Sequence, residues 1–412
     1  MNDPTVLIIT SSGGAGHLQA AKAEELRILE LYPNAKIIKQ DILQDWVSKR
    51  FGIFCRDSWN KAQAAGNVSQ LELFVDCQPY LEKILHYPIY KALLSLLIKE
   101  KIDRIIDTQP LGTPAIIKAI KRAKRILKKE LILEKIITEL PTEESSHFFH
   151  SIKKLKNEDK SLVKIITTKP LTQEGETESS FWQKQCGISD EQIQYEELPL
   201  RPSFRKYQAI DKPLDLEIDL LLKDSEERNL LLKTLKKGSA CYQEYNDKIK
   251  IFIHPHEKVS VLMLGSHPEA KALFDYVKLF IEISKKKRYK ERKDLLFVFC
   301  CNYKNIQKKI QDLILRDSHY PQSLTVFPLS FQDDEVIAPL LARSDATFTR
   351  SGGLTSMELL SVCKGKMWIH KSDKSELGMP PWEKGNAQYL QTKKGAEFIH
   401  PSKFEDCAKT YF

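Results

Sequence analysis

Short β-rich runs alternate with amphipathic helical stretches along this chain, a pattern that parallel sheets covered by helices on both faces satisfy and few other folds do. In the first half, strands are expected over Val6 to Thr10, Lys36 to Ile38, Arg104 to Asp107, Ile136 to Thr138 and Val163 to Thr167. In the second they are expected over Val259 to Leu264, Leu295 to Cys300, Leu324 to Phe327, Ala346 to Thr349 and Met367 to Ile369. Two such sets predict an α/β fold of two Rossmann-like, doubly wound parallel sheets facing a central cleft. The length of 412 residues agrees, because one domain holds roughly 100 to 200.

The join between the sets begins at Leu198 to Phe204, LPLRPSF, where two prolines interrupt regular structure. A charged stretch, Asp211 to Lys258, follows. Within it Asp224 or Ser225 caps an expected helix through Lys237 that stops at Gly238. The expected division is a first lobe over 1–204, a charged linker or insertion over 205–258, and a second lobe over 259–412.

Charge narrows the partners only coarsely. Lys and Arg outnumber Asp and Glu by 64 to 55, giving +9, which favours nucleotide sugars, nucleic acid or an anionic membrane surface without choosing among them. MNDPTVLIIT already reads as a core strand, so no cleavable leader is expected, and no run has the roughly 18 to 20 apolar residues of a spanning helix. The eight cysteines form no C-x-x-C pair, and reduced thiols in a cytoplasmic protein are expected. Leu81 to Lys99 reads as a core-facing helix broken at Pro88. The rival reading lays it on a membrane beside the basic run Lys118 to Lys129.

Three polar turns follow predicted strands or lie just past them, at the edge where open α/β sheets bind ligands. In VLIITSSGGAGHLQAA, Gly13, Gly14 and Gly16 permit close approach of a ligand to the backbone, the next helix points N–H groups at the same spot, and His17 can move protons. The same residues also fit a generic strand-to-helix connection with an incidental histidine. In DATFTRSGGLTSMELL, Arg350, Ser351, Gly352, Gly353 and Thr355 suit a nucleotide diphosphate, and Glu358 a ribose diol or the helix dipole. In PPWEKGNA, Glu383 and Asn386 suit sugar hydroxyls or a helix start. His147 with His150, and His254, His256 and His267, lack a convincing carboxylate or cysteine set, so no metal is expected. Asp333, Asp334 and Glu335 read as dipole-complementing charge at a helix start.

SSGGAGH, LPLRPSF, RSGGLTSMEL and EKGNAQYL occur in an order that resembles the monogalactosyldiacylglycerol synthases and processive diacylglycerol glucosyltransferases. More distantly they resemble the N-acetylglucosaminyltransferase of the peptidoglycan lipid intermediate. The resemblance implies a GT-B glycosyltransferase with an N-terminal acceptor side, a C-terminal UDP-sugar side, inversion at the anomeric carbon, and neither metal nor cofactor. It places His17 as the base, Gly352, Gly353 and Thr355 at the diphosphate, Glu358 at the ribose, and Glu383 with Asn386 at the sugar. Gly265 and Ser266 are similar to its first C-terminal glycine turn, and Phe331 lies in its base-bordering loop. The chain departs from the pattern at Ala15, in TELPTEESSHFFH, and in the 26 residues after Asn386, where relatives continue with returning helices.

The function expected is transfer of a hexose from a UDP-sugar to a diacylglycerol-like acceptor by a cytoplasmic protein peripheral to a membrane, with no nucleic-acid partner. Transfer to a protein or soluble glycan is the first alternative. An inactive nucleotide-sugar-binding or interaction protein is the second.

Overall fold

The computed structural model describes residues 3–13, 16–196, 200–246, 248–286, 293–372 and 378–405. Gly14, Ala15, Leu198, Pro199 and most of the helix expected over Lys403 to Phe412 therefore lie outside the described residues. The first sheet has six parallel strands: β1 (Thr5–Thr10), β2 (Lys36–Asp41), β3 (Arg104–Asp107), β4 (Leu133–Ile136), β5 (Val163–Thr167) and β6 (Ile193–Tyr195), in the order β2-β1-β3-β4-β5-β6. A small antiparallel sheet follows, β7 (Leu216–Leu220), β8 (Cys241–Tyr245) and β9 (Lys248–Ile253), with β9 in the middle. The second large sheet has β10 (Lys258–Met263), β11 (Asp294–Cys301), β12 (Leu324–Ser330), β13 (Ala346–Thr349), β14 (Lys366–His370) and β15 (Glu397–Ile399). Its six strands are parallel, in the order β12-β11-β10-β13-β14-β15.

Strand side chains alternate between faces, and both faces here are apolar. Leu7 and Ile9 of β1 join one core cluster while Val6 and Ile8 join another. Val259 and Val261 of β10 join one cluster, and Leu262 another. Each sheet is thus doubly wound, and the two together form the GT-B architecture. The order reverses between β1 and β3 in the first sheet and between β10 and β13 in the second. Ligands of open α/β sheets bind at the strand ends beside such switch points.

Three expectations need correction. The strand expected over Ile136 to Thr138 runs over Leu133–Ile136, which leaves Thr138 free to turn toward the other lobe. The helix expected to break at Pro88 is continuous over Gln78–Glu100. Proline there removes one hydrogen bond, to the carbonyl of Ile84, and that residue is exposed, so water can satisfy it. Gly238 does not cap the helix Ser225–Leu235 by a left-handed turn; a Cβ there would collide with Thr325, whose Oγ1 accepts from Ser239 and Ala240 N–H at 3.0 and 3.1 Å. Asp224 is the N-cap, accepting from Glu227 N–H at 2.9 Å.

The basic run over Lys118 to Lys129 is the solvated side of the helix Thr113–Leu127, whose Ile116, Ile117, Ile120 and Ala123 are buried. Its lysines find partners: Lys121 pairs with Asp159 at 2.5 Å and Lys124 with Glu130 at 2.5 Å. The described cysteines are free thiols. No described helix is long and apolar enough to cross a membrane.

Candidate functional site

The carboxyl edges of the two large sheets face each other across one cleft. Gly13, Gly16 and His17 line it from the first lobe. Gly265, Ser266, Phe331, Arg350, Gly352, Gly353, Thr355, Glu358 and Glu383 line it from the second. Gly14 lies outside the described residues. Ser351 and Asn386 are fully buried behind the wall.

His17 is the second residue of the helix Gly16–Leu31, which follows β1 after a five-residue connection. Its Nδ1 lies 2.8 Å from the Thr108 carbonyl oxygen, which can only accept, so Nδ1 carries the proton and Nε2 is the basic nitrogen. The surrounding protein desolvates the ring, and the nearby Lys135 ammonium further disfavours the charged form, so its pKa falls to about 4 despite the Thr108 bond. His17 is therefore neutral at ordinary pH, the state a general base requires. Lys135, fully buried, bonds Asp107 at 2.7 Å, the Gln109 carbonyl, and Thr113 Oγ1 at 3.3 Å, which fixes the turn carrying Thr108.

The second lobe contributes an unshielded helix start. The helix Gly353–Val362 begins after Gly352 with no side-chain cap, so its first N–H groups remain available for an anion. A Cβ on Gly352 would meet open space, whereas one on Gly353 would collide with the Thr138 carbonyl and lie 2.6 Å from Glu139 Oε2. Thr138 Oγ1 is in turn 3.1 Å from His17 Nδ1. Thr138, two residues past β4, thus touches both the histidine and the glycine turn of the opposite lobe. Gly265, with φ +83°, makes the matching turn after β10.

Charged side chains on the cleft wall hold one another. Arg350 grips Glu383 by two bonds, 2.7 Å from Nη2 and 3.2 Å from Nε. Glu358 accepts from Arg201 Nε at 2.8 Å, and the Arg201 guanidinium lies 4.9 Å above the Phe204 ring. Burial raises the Glu358 pKa against the lowering effect of Arg201. Ser351 Oγ donates to the Glu383 carbonyl at 2.7 Å. Asn386 joins the lobes: its Oδ1 accepts from Leu140 N–H at 2.8 Å, and its Nδ2 donates to Ser351 O at 2.8 Å and to Glu139 Oε2 at 2.5 Å. Glu139 also lines the cleft. Desolvation, and then the like charge of Glu383, push its pKa up to about 8 against the lowering bond from Asn386.

Sequence reasoning passed over several residues at this site. Arg201 stands within LPLRPSF, but its partner Glu358 is 157 residues away and no local pattern pairs them. Thr108, Thr138 and Glu139 sit just past strand ends, a position that signals a ligand edge once the strands are placed. Trp59 and Trp382 come from opposite lobes and stack with ring centroids 5.9 Å apart, a contact that no local pattern encodes. Among the described residues no three His, Cys, Asp or Glu side chains converge as a metal cage. His254 and His256 stack with each other, and His150 is exposed.

No protein-family model matches the chain, and no curated protein matches it. Solved structures similar to it include MurG of Acinetobacter baumannii, 11% identical over 97% of this chain and 86% of that one, with a TM-score of 0.43. The spinosyn rhamnosyltransferase SpnG is 9% identical over 99% and 91%, with a TM-score of 0.47. The UDP-GlcNAc 2-epimerase of Methanocaldococcus jannaschii is 11% identical over 99% and 91%, with a TM-score of 0.45.

Proposed function

We propose that this protein transfers a hexose from a UDP-sugar to a hydroxyl of a diacylglycerol-like lipid at a membrane surface. The observation that carries the reading is Thr138, which joins His17 to the Gly352–Gly353 turn and so sets a neutral base and an anion cradle in one cleft. In the proposed step the acceptor O–H gives its proton to His17 Nε2 as its oxygen bonds the anomeric carbon. The bond from that carbon to the diphosphate oxygen breaks, the electron pair leaves with UDP, and the configuration inverts. The helix start at Gly353 and the Thr355 hydroxyl receive the departing charge, so the step asks for no metal and no cofactor. Phe331 borders the base, with Gly265 and Ser266 beside the nucleotide. Glu358 accepts from the ribose through the oxygen that Arg201 leaves free. Glu383 reads the sugar, and Arg350 and Asn386 hold Glu383 and Glu139 in place.

On this reading residues 1–204 form the acceptor lobe, 259–412 the donor lobe, and 205–258 an insertion on the donor lobe. The lipid acceptor is favoured over a protein or soluble glycan by one exposed helix face. Tyr80, Ile84 and Tyr87, spaced for one side of the helix Gln78–Glu100, are 69%, 73% and 66% exposed. Titration calorimetry with UDP tests the donor site. Wild-type protein should bind UDP, and Thr355→Glu, which sets a carboxylate in the cradle, should abolish binding. Equal affinity in the two proteins contradicts the assignment.

A further inference from the structure

The charged insertion holds the loop at the nucleobase end of the cleft. Glu227, buried in the first turn of the helix Ser225–Leu235, bonds across to the second large sheet. Its Oε1 accepts from Ser330 N–H at 3.1 Å and from Gln307 Nε2 at 2.8 Å, and Gln307 Nε2 also donates to the Pro328 carbonyl at 3.0 Å. Its Oε2 accepts from Lys223 N–H at 2.8 Å, which ties the same carboxylate to the segment leaving β7. Gln332 completes the clamp: Oε1 accepts from Leu221 N–H at 3.0 Å and Nε2 donates to Leu221 O at 2.7 Å. Both ends of the three-residue loop Ser330 to Gln332 are therefore pinned to the insertion. Phe331, between them, stands 51% exposed with its ring on the cleft.

The position of that loop fits a nucleobase. It follows β12, the edge strand, three strands from the β13 that carries the proposed diphosphate turn. Three strand spacings are roughly 14 Å, about the reach of an extended nucleoside diphosphate. An aromatic face at that end can stack on any base, so choice among bases falls to the backbone groups beside Phe331. Those groups can discriminate only if their geometry is fixed.

We infer that the segment Leu221 to Glu227 of the insertion sets the donor's nucleobase selectivity by fixing the loop Ser330 to Gln332, with Glu227 and Gln332 as positioning residues. The inference rests on the UDP-sugar reading above. Removing the Glu227 carboxylate frees Ser330 N–H and loosens the loop without touching the diphosphate turn. Affinity should then fall for the preferred base while affinity for the others stays, a change that a loss of general stability would not produce.

The test measures dissociation constants of the full-length protein for UDP, ADP and GDP by titration calorimetry, with thermal melts as the folding control. Wild-type protein should prefer UDP by about tenfold or more, and Glu227→Ala should cut that preference to within about threefold. Glu227→Gln, which keeps an acceptor for Ser330 N–H, should retain most of it. If Glu227→Ala does not fold, Gln332→Leu breaks the other half of the clamp and should give the same loss. A folded Glu227→Ala or Gln332→Leu with wild-type preference overturns the inference, as does a wild type that binds the three equally. A wild type that binds no nucleoside diphosphate overturns the donor reading itself.

Discussion

His17 and Glu139 are the residues whose ionisation the fold bends most usefully. With Nδ1 tied to Thr108 and its pKa lowered to about 4 by burial, His17 is neutral at ordinary pH, the form the proposed base needs. His17→Ala should lower transfer by about a hundredfold to ten-thousandfold while UDP affinity holds, as initial rates and calorimetry would show. Glu139 carries a pKa of about 8, well above the ordinary carboxylate value, so the folded state binds its proton where the unfolded chain does not. The stability it supports is complete at low pH and lost as pH rises through about 8. Melting temperatures of Glu139→Gln should accordingly depend less on pH than wild type between about pH 5 and about pH 9; parallel curves would show that Glu139 is ionised throughout. His17 was legible because it stands in a glycine turn behind an apolar strand. Glu139 was not, because its shift comes from burial on folding and from Glu383, more than two hundred residues away in sequence.

At the scale of elements, the strands that were legible are those with apolar runs, such as VLII of β1 and VLM of β10. The strands of the insertion went unread although β7, LEIDL, alternates buried and exposed residues with period two. Its acidic residues, like the lysines of β9, made the segment look like a solvated linker, while its apolar side joins the core of the second lobe. The helix Gln78–Glu100 shows the opposite confusion. Its Leu85, Ile89, Leu93 and Leu97 face the core as expected, Leu81, Tyr90, Leu94 and Leu96 flank them, and Tyr80, Ile84 and Tyr87 form a second, exposed face. Ile84→Glu combined with Tyr87→Glu should leave the melting temperature within a few degrees and reduce flotation with anionic diacylglycerol vesicles severalfold. Unchanged flotation would remove this face from membrane binding.

Across the whole molecule, two glycines let the lobes approach closely. A Cβ on Gly385 would collide with Thr142, and one on Gly353 with Thr138, so both glycines of the second lobe mark places where the first lobe closes. Gly353→Ala should push the lobes apart, lowering transfer far more than it lowers the melting temperature; full activity would show that the lobes need not touch there. Sequence patterns foretold five strands of each large sheet and twelve of the residues lining the cleft, since each turn is a local signal. They did not foretell the lobe-to-lobe contacts of Asn386, Thr138 and the Trp59–Trp382 stack, which exist only after folding. If these contacts assemble one sugar-transfer site, the protein releases UDP from a sugar donor. UDP-glucose, UDP-galactose and UDP-N-acetylglucosamine would each be supplied with and without diacylglycerol vesicles. Vesicle-dependent release is expected from at least one donor and is lost in His17→Ala. No release from any of them by a wild type that also fails to bind UDP would contradict a sugar-transfer site.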